Sequence, residues 1–126
     1  MIPGGGYLVQ PGRDTLQAAH DAASAGDELV LADGYHTGSS AQVVRISKSI
    51  TIRALNPGMA VLDGENARRV VHIRGAPTVI LSGLNITRGS SSSGAGLHVA
   101  LSTATLTAIS IYSCAASNVV RLPPHN

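Results

Sequence analysis

The sequence predicts an all-β fold in which short parallel strands stack as a solenoid. The stretch TVILSGLNITRG, residues 78–89, alternates apolar and polar residues, and similar stretches occur at residues 49–56 and 103–112. A tripeptide of an apolar, a basic and an apolar residue recurs in step with them, and its central residues are Arg45, His72, His98 and Arg121. Two series that share a period of 23 to 29 residues, without a helical pattern between them, indicate a repeat array of strands.

The alignment of the repeats predicts which side chains stack in the interior. The aligned apolar sets are Ile50, Val79 and Ala104; Ile52, Leu81 and Leu106; and Leu55, Leu84 and Ile109. In a parallel solenoid, residues of one set lie about 4.8 Å apart from coil to coil. A single coil buries little apolar surface, so neighbouring coils must stabilise one another.

Some polar and aromatic positions are also expected to have structural roles. The same alignment places Asn56, Asn85 and Ser110 in one polar column, where hydrogen bonds along the stack are expected. Tyr35 and His36 follow the Asp33-Gly34 turn and are expected to pack where the first coil closes.

The chain divides into four segments. Residues 1–13, rich in glycine and proline, form an irregular lead-in. Residues 14–26 read as a helix, with Asp14 as its N-cap and Gly26 as its stop, and we expect this helix to cap the first coil. Residues 27–122 carry the strand repeats, and residues 123–126 form a tail.

Composition narrows the class of protein and its partners. The chain has 126 residues, enough for one domain, and 44% of them are apolar, although Phe and Trp are absent. A formal charge of +2 is small, and three tyrosines are few aromatic residues for stacking on bases, so the composition argues against nucleic-acid binding.

Other sequence features concern disulfides and targeting. Cys114 is the single cysteine. No apolar run is long enough to span a membrane, and the first residues do not resemble a signal peptide.

Two longer stretches resemble known β-helix proteins. TLQAAHDAASAGDELVLADGYHTG, followed by VVRISKSITIRALN, resembles the opening of pectate-lyase-like right-handed parallel β-helices. AVLDGENARRVVHIRGAPTVILSGLNITRGSSSSGAGLHV is similar to repeats of bacterial polymorphic outer-membrane proteins and related surface β-helices. The resemblance covers about residues 14–118 and implies a right-handed parallel β-helix of three to four coils with an N-terminal helical cap. It also favours an extracellular or cell-surface location.

The acidic residues do not form the pattern that polysaccharide cleavage needs. Hydrolysis of a glycosidic bond uses paired carboxylates, and a calcium-dependent lyase uses a carboxylate cluster beside a basic residue. Five of the seven acids precede the second coil, and Asp63 and Glu65 are the last in the sequence. We therefore expect a noncatalytic surface, adhesion or assembly module without a cofactor. The alternative is a part of a polysaccharide lyase or glycoside hydrolase whose acids lie on other coils.

The basic series is the first candidate binding site. Strand alternation is expected to turn Arg45, His72, His98 and Arg121 outward on one face. Such a strip would suit an anionic glycan, or His72 and His98 would hold a metal ion, but a solvated face without a ligand is the simpler interpretation. No metal is expected, because neither histidine has a carboxylate or cysteine nearby in the pattern.

A row of hydroxyl side chains is the second candidate. In the repeated stretches at residues 49–56, 78–89 and 103–112, the positions expected to face outward are mostly Ser or Thr. Arg53 and Ile80 are the exceptions. The hydroxyl residues are Ser49, Thr51, Thr78, Ser82, Thr103, Thr105 and Thr107. A flat array of this kind would suit a glycan or ice, although the β-propensity of threonine explains it without a ligand.

The last coil is expected to need a partner. Strand edges near residues 119–122 would be unpaired, and Pro123 and Pro124 would protect them only partly. We expect this end to be covered by another protein chain, by a second copy or by further coils.

Overall fold

The computed structural model describes residues 7–75, 78–90, 95–114 and 119–122, which contain fourteen short strands and one helix. The elements in chain order are β1 Tyr7–Val9, β2 Gly12–Arg13, α1 Thr15–Ala22, β3 Glu28–Leu31, β4 Gly34–Thr37, β5 Gln42–Ile46, β6 Ile50–Ala54, β7 Ala60–Asp63, β8 Arg69–Arg74, β9 Val79–Ser82, β10 Leu84–Thr87, β11 Leu97–Ala100, β12 Ala104–Thr107, β13 Ser110–Tyr112 and β14 Val119–Leu122. No helix in this described part of the chain is both long and apolar enough to cross a membrane.

The strands form three parallel sheets that the chain visits in turn. The first sheet has the order β1-β3-β6-β9-β12, the second β2-β4-β7-β10-β13 and the third β5-β8-β11-β14. Every strand pairing between described residues is parallel, and each coil contributes one strand to each sheet from β3 onward. The fold is therefore a parallel β-helix of about four coils, as the sequence predicts.

The interior columns of the first sheet match the predicted ones. Val79 pairs with Ile50 on one side and Ala104 on the other, and Leu81 pairs with Ile52 and Leu106 in the same way. The fully buried side chains of the described core are almost all Leu, Ile and Val. Branched aliphatic side chains fit a narrow tube of stacked short strands, so the core forms without Phe or Trp.

The helix is shorter than predicted, although Asp14 occupies its N-cap position as expected. It spans Thr15–Ala22 rather than residues 14–26. Asp14 precedes it in a left-handed conformation (φ 63°) and makes no side-chain cap; its carboxylate instead accepts hydrogen bonds from the N–H of Ser39 (2.9 Å) and the Ser39 hydroxyl (2.6 Å). The Asp14 carboxylate therefore joins the helix start to the next coil.

The helix closes the third sheet at the N-terminal end. It contacts β5, the first strand of that sheet, and buries Leu16 and His20 there. The Lys48 ammonium donates hydrogen bonds to the carbonyl oxygens of His20 (3.0 Å) and Ala23 (2.7 Å) at the end of the helix. A positive charge at this position interacts favourably with the last carbonyl groups of a helix, so Lys48 takes part in the helix stop that was predicted for Gly26.

One predicted column is wrong at a corner between two sheets. Leu84 pairs with Ala60, not with Leu55, which is 42% exposed. Five residues, 55–59, turn the corner between β6 and β7, whereas Gly83 alone turns it between β9 and β10. The longer corner shifts β7 along the chain relative to β10. The alignment of residue types that predicts the strand pairs of the first sheet therefore does not predict the pairs between these two strands of the second sheet.

The predicted polar column is correspondingly incomplete. Asn85 pairs with Ser110, as expected, but its other neighbour in the sheet is Val61. Asn56 lies in the longer corner and donates a hydrogen bond to the Asp33 carboxylate (3.0 Å) instead. The Asn85 amide donates to the carbonyl oxygen of Gly58 (2.7 Å), so it ties the second sheet to that corner.

Candidate anion-binding face

Three of the four predicted basic residues share one column on the third sheet. Arg45 pairs with His72, and His72 pairs with His98 on the next coil. Arg121 does not belong to this column, because Val120 pairs with His98 and Arg121 pairs with Val99. The number of residues in the last coil sets this hydrogen-bond register. The observed register differs by one residue from the register that the repeated tripeptide predicts.

The exposure of the column differs from the predicted solvated face. Arg45 is exposed and His72 is partly buried, whereas His98 retains only 9% of its accessible surface. Two arginines at the ends of β8, Arg69 and Arg74, flank the column. Arg74 is exposed and Arg69 is partly buried, so the accessible part of this surface is formed by three arginines and His72. We call this surface, Arg45, Arg69, His72, Arg74 and His98, the basic face.

The two histidines contact each other at the centre of the basic face. Their ring centroids are 5.0 Å apart and the rings are inclined at 77°. Burial, together with the charges of Arg69, His98, Arg45 and Arg74, lowers the pKa of His72 from 6.5 to about 4. Burial also lowers the pKa of His98, with Arg69 and Arg74 contributing. Both rings are therefore mostly neutral at pH 7, and the positive charge of the face comes from its arginines.

The carboxylates of the chain are all engaged elsewhere. Each of the seven acidic side chains hydrogen-bonds to a group outside the basic face. The pairs are Asp14 with Ser39, Asp21 with His20, Asp27 with the Ser24 N–H, Glu28 with Arg53, Asp33 with Asn56, Asp63 with Arg88, and Glu65 with Arg68. Within the described residues, neither Arg45 nor Arg74 forms an ion pair with a carboxylate. No carboxylate of the described residues therefore neutralises the charge of Arg45 or of Arg74.

The histidine pair does not have the surroundings of a metal site. Among the described residues, no three His, Cys, Asp or Glu side chains lie together in a way that would hold a metal ion. The charges that act on His72 are those of arginines and His98, which repel a cation. The arrangement suits an anion.

The hydroxyl row lies on the first sheet, in the predicted register. Thr51, Ile80 and Thr105 form one outward column, and Arg53, Ser82 and Thr107 form the next. The Ser49 hydroxyl accepts a hydrogen bond from the N–H of Thr78 (3.0 Å), which links two coils at the start of the row. Arg53 forms an ion pair with Glu28 (2.9 Å), so this part of the row is neutral. Ice or glycan binding by the row stays a prediction.

A third surface was not predicted. An open cleft of about 640 Å³ crosses the second sheet, and its walls include Tyr35, Asp63, Arg88 and Tyr112. Tyr35 was expected to pack but is 61% exposed, while its neighbour His36 is fully buried as expected. Outward alternation from the buried His36 would have indicated the exposure of Tyr35. The sequence did not indicate a role for Arg88, because its partner Asp63 lies on the preceding coil and is distant in sequence.

Comparisons with known proteins support the fold. Neither family models nor curated proteins give a match. A solved structure of a PL6-family alginate lyase is similar with a TM-score of 0.67 and 24% sequence identity over 85% of this chain. The chain spans only 16% of that enzyme's length. At this identity the likeness establishes the parallel β-helix and leaves the activity open.

Proposed function

We propose that this β-helix binds an acidic polysaccharide on its basic face. The observation that carries the proposal is the charge of two exposed arginines on that face: neither Arg45 nor Arg74 forms an ion pair with a carboxylate of the described residues, and each of the seven acidic side chains is hydrogen-bonded to a group elsewhere. A carboxylate or sulfate on a ligand would supply the missing charge and accept hydrogen bonds from the guanidinium groups.

The shape of the face favours a polymer over a small anion. Arg45, His72 and His98 come from three successive coils, so the column extends over about 10 Å along the helix axis. The arginines lie on the outside of a sheet, where a chain with repeated negative charges would make several contacts at once. None of the exposed tyrosines lies on this sheet, so stacking on nucleic-acid bases has no support there.

The similar solved structure supports a carbohydrate ligand. That protein is an alginate lyase with the same β-helix fold, and alginate is an acidic polysaccharide. The activity of that enzyme gives a second candidate function, in which this chain is one part of a polysaccharide lyase. We favour binding without cleavage, because the seven carboxylates are committed to hydrogen bonds away from the basic face. Adhesion and assembly, the finer roles predicted from the sequence, stay predictions.

The proposal is tested by calorimetry with alginate and polygalacturonate at low ionic strength and pH 7. We expect the double variant Arg45→Gln/Arg74→Gln to bind about two- to thirtyfold more weakly, because each exposed charge pair contributes about 0.2 to 1 kcal/mol. Arg53→Gln removes a positive charge from the first sheet and serves as the matched control, with little expected effect on affinity. The variant Thr105→Ala, measured in the same titrations, tests whether the hydroxyl row binds these polysaccharides.

Three results would overturn the proposal. They are equal losses in Arg53→Gln and in the double variant, equal binding of a neutral polysaccharide, and equal or tighter binding of single-stranded DNA. Unsaturated sugar ends released from alginate by the chain would instead support the lyase candidate.

A further inference from the structure

The cleft on the second sheet has the features of a separate sugar-binding site. It crosses β4, β7, β10 and β13 at their carboxyl ends, and its length is about 14 Å because three inter-strand steps separate the outer strands. Thr37, Asp63, Thr87 and Tyr112 come from these four strands. A cleft of this length accommodates several sugar units rather than one.

Two tyrosines in this cleft are exposed although the protein contains few aromatic residues. The chain has three tyrosines and no Phe or Trp, and its core is aliphatic. Tyr35 on β4 is 61% exposed and Tyr112 on β13 is 45% exposed, so neither ring is needed to fill the interior. An exposed aromatic ring offers a flat apolar surface with a polar hydroxyl, which matches the apolar face and hydroxyl edge of a pyranose.

An arginine is held in place between the two tyrosines along the cleft. Arg88 follows β10, and its Nε donates a hydrogen bond to Oδ1 of Asp63 (2.9 Å) while its Nη2 bonds to Oδ2. Asp63 is buried and also accepts the N–H of Glu65 (2.8 Å), so the carboxylate cannot follow the guanidinium if it moves. Nevertheless the Arg88 side chain is 49% exposed, and its Nη1 donates no hydrogen bond to any described residue.

The charges around Asp63 and Arg88 keep both groups ionised. Burial alone would raise the pKa of Asp63, but the hydrogen bonds from Arg88 and Glu65 and the charge of Arg88 lower it below 3.8. The hydrogen bond to Asp63 raises the pKa of Arg88, and Glu65 and Tyr35 add to this rise. The guanidinium is thus a cation fixed by its bonds to Asp63, and within the described residues its Nη1 has no partner at the cleft surface.

We propose that this cleft binds an oligosaccharide that carries carboxylate groups, with Arg88 contacting a carboxylate through Nη1 and with Tyr35 and Tyr112 packing against sugar rings on either side. The inference rests on the proposed function only in assuming the same class of ligand. The site is on a different sheet from the basic face, and none of its residues belongs to that face. Binding at either site is therefore measurable without the other.

The test uses a galacturonate tetrasaccharide and its fully methyl-esterified form, titrated into the whole chain by calorimetry. Tyr35→Ala and Tyr112→Ala are each expected to weaken binding of the acid form about two- to tenfold, the range of a single aromatic contact. Arg88→Lys keeps the ion pair with Asp63 but loses the planar fork, and it is expected to reduce the preference for the acid over the ester. Tyr7→Ala is the matched control, because Tyr7 is 47% exposed on β1 of the first sheet and lies outside the cleft, and its affinity is expected to be unchanged.

The outcomes separate this site from the basic face. Losses in the tyrosine variants with none in Arg45→Gln/Arg74→Gln support the cleft and argue against the basic face. Losses in the double variant with none in Tyr35→Ala or Tyr112→Ala overturn the cleft and leave the basic face supported. Absence of tetrasaccharide binding by the unmodified chain, or equal binding of acid and ester in both the unmodified chain and Arg88→Lys, also overturns it.

Discussion

His72 shows how the surroundings of one residue make stability depend on pH. Its neighbours on the basic face are positively charged, and its ring is partly buried against His98. Burial disfavours the protonated ring, and protonation would also place another cation among arginines, which is why the pKa of His72 falls from 6.5 to about 4. The fold accepts a neutral ring at this position and disfavours a charged one.

Stability is therefore expected to fall as the pH is lowered from about 6.5 toward 4. In this window the unfolded chain binds a proton at His72 and the folded chain does not, so acid favours unfolding. The lowered pKa values of His36 and His98 act in the same direction. Urea unfolding at pH 7 and pH 5 measures the change, and His72→Gln is expected to reduce it. An identical midpoint at the two pH values in the unmodified chain would contradict this assignment.

At the scale of the strand, the stacking register decides what each side chain contributes. Ile52, Leu81 and Leu106 occupy one column on three successive strands of the first sheet. Leu81 lies between two neighbours and is 1% exposed, whereas Leu106, on the last strand of that sheet, is 42% exposed. Within the described structure, Leu81 thus has a neighbouring coil on both sides, whereas Leu106, in the same column, has one on a single side.

Truncation of these two leucines is a matched test of the register. Leu81→Ala is expected to lower the free energy of unfolding by about 2 to 5 kcal/mol, the usual cost of a cavity in a packed core. Leu106→Ala is expected to cost less than about 1 kcal/mol, because much of that side chain is already in contact with water. Chemical denaturation of both variants gives the comparison. Equal losses would mean that Leu106 is covered in solution, as the sequence-based expectation of a partner at this end requires.

The columns of the first sheet could be predicted, whereas the corners could not. Ile50, Val79 and Ala104 align because strand alternation fixes which face each residue takes once the repeat is known. Nothing in the sequence fixes how many residues turn a corner, so Leu55 was placed in the core although it lies in the corner before β7. The end of the helix was mispredicted for a related reason, since Lys48, a residue distant in sequence, contacts its last carbonyl groups.

The basic face was predicted in part for the same reasons. Arg45 and His72 could be placed together because they occupy equal positions in neighbouring repeats. Arg74 was missed because it follows the repeated tripeptide, and Arg121 was wrongly included because its coil has a different length. The burial of His98 depends on packing between coils, which the alternation of one strand does not reveal.

For the whole molecule, the distribution of charge matters more than its sum. A formal charge of +2 is too small to indicate a polyanionic partner. The structure places ion pairs on the first and second sheets, Glu28 with Arg53 and Asp63 with Arg88, while the third sheet carries arginines and histidines. The excess positive charge therefore concentrates on one side of the solenoid, where it acts along the axis over several coils.

Binding on the basic face is tested by an NMR titration of the labelled protein with a galacturonate hexasaccharide at pH 7. Binding on the basic face predicts that the largest shifts occur at the side chains of Arg45 and Arg74 and at the His72 ring, with smaller shifts at Thr51 and Thr105 on the first sheet. Unchanged signals for Arg45, Arg74 and His72 at saturating ligand, or shifts confined to the first sheet, would mean that the ligand does not bind on the basic face.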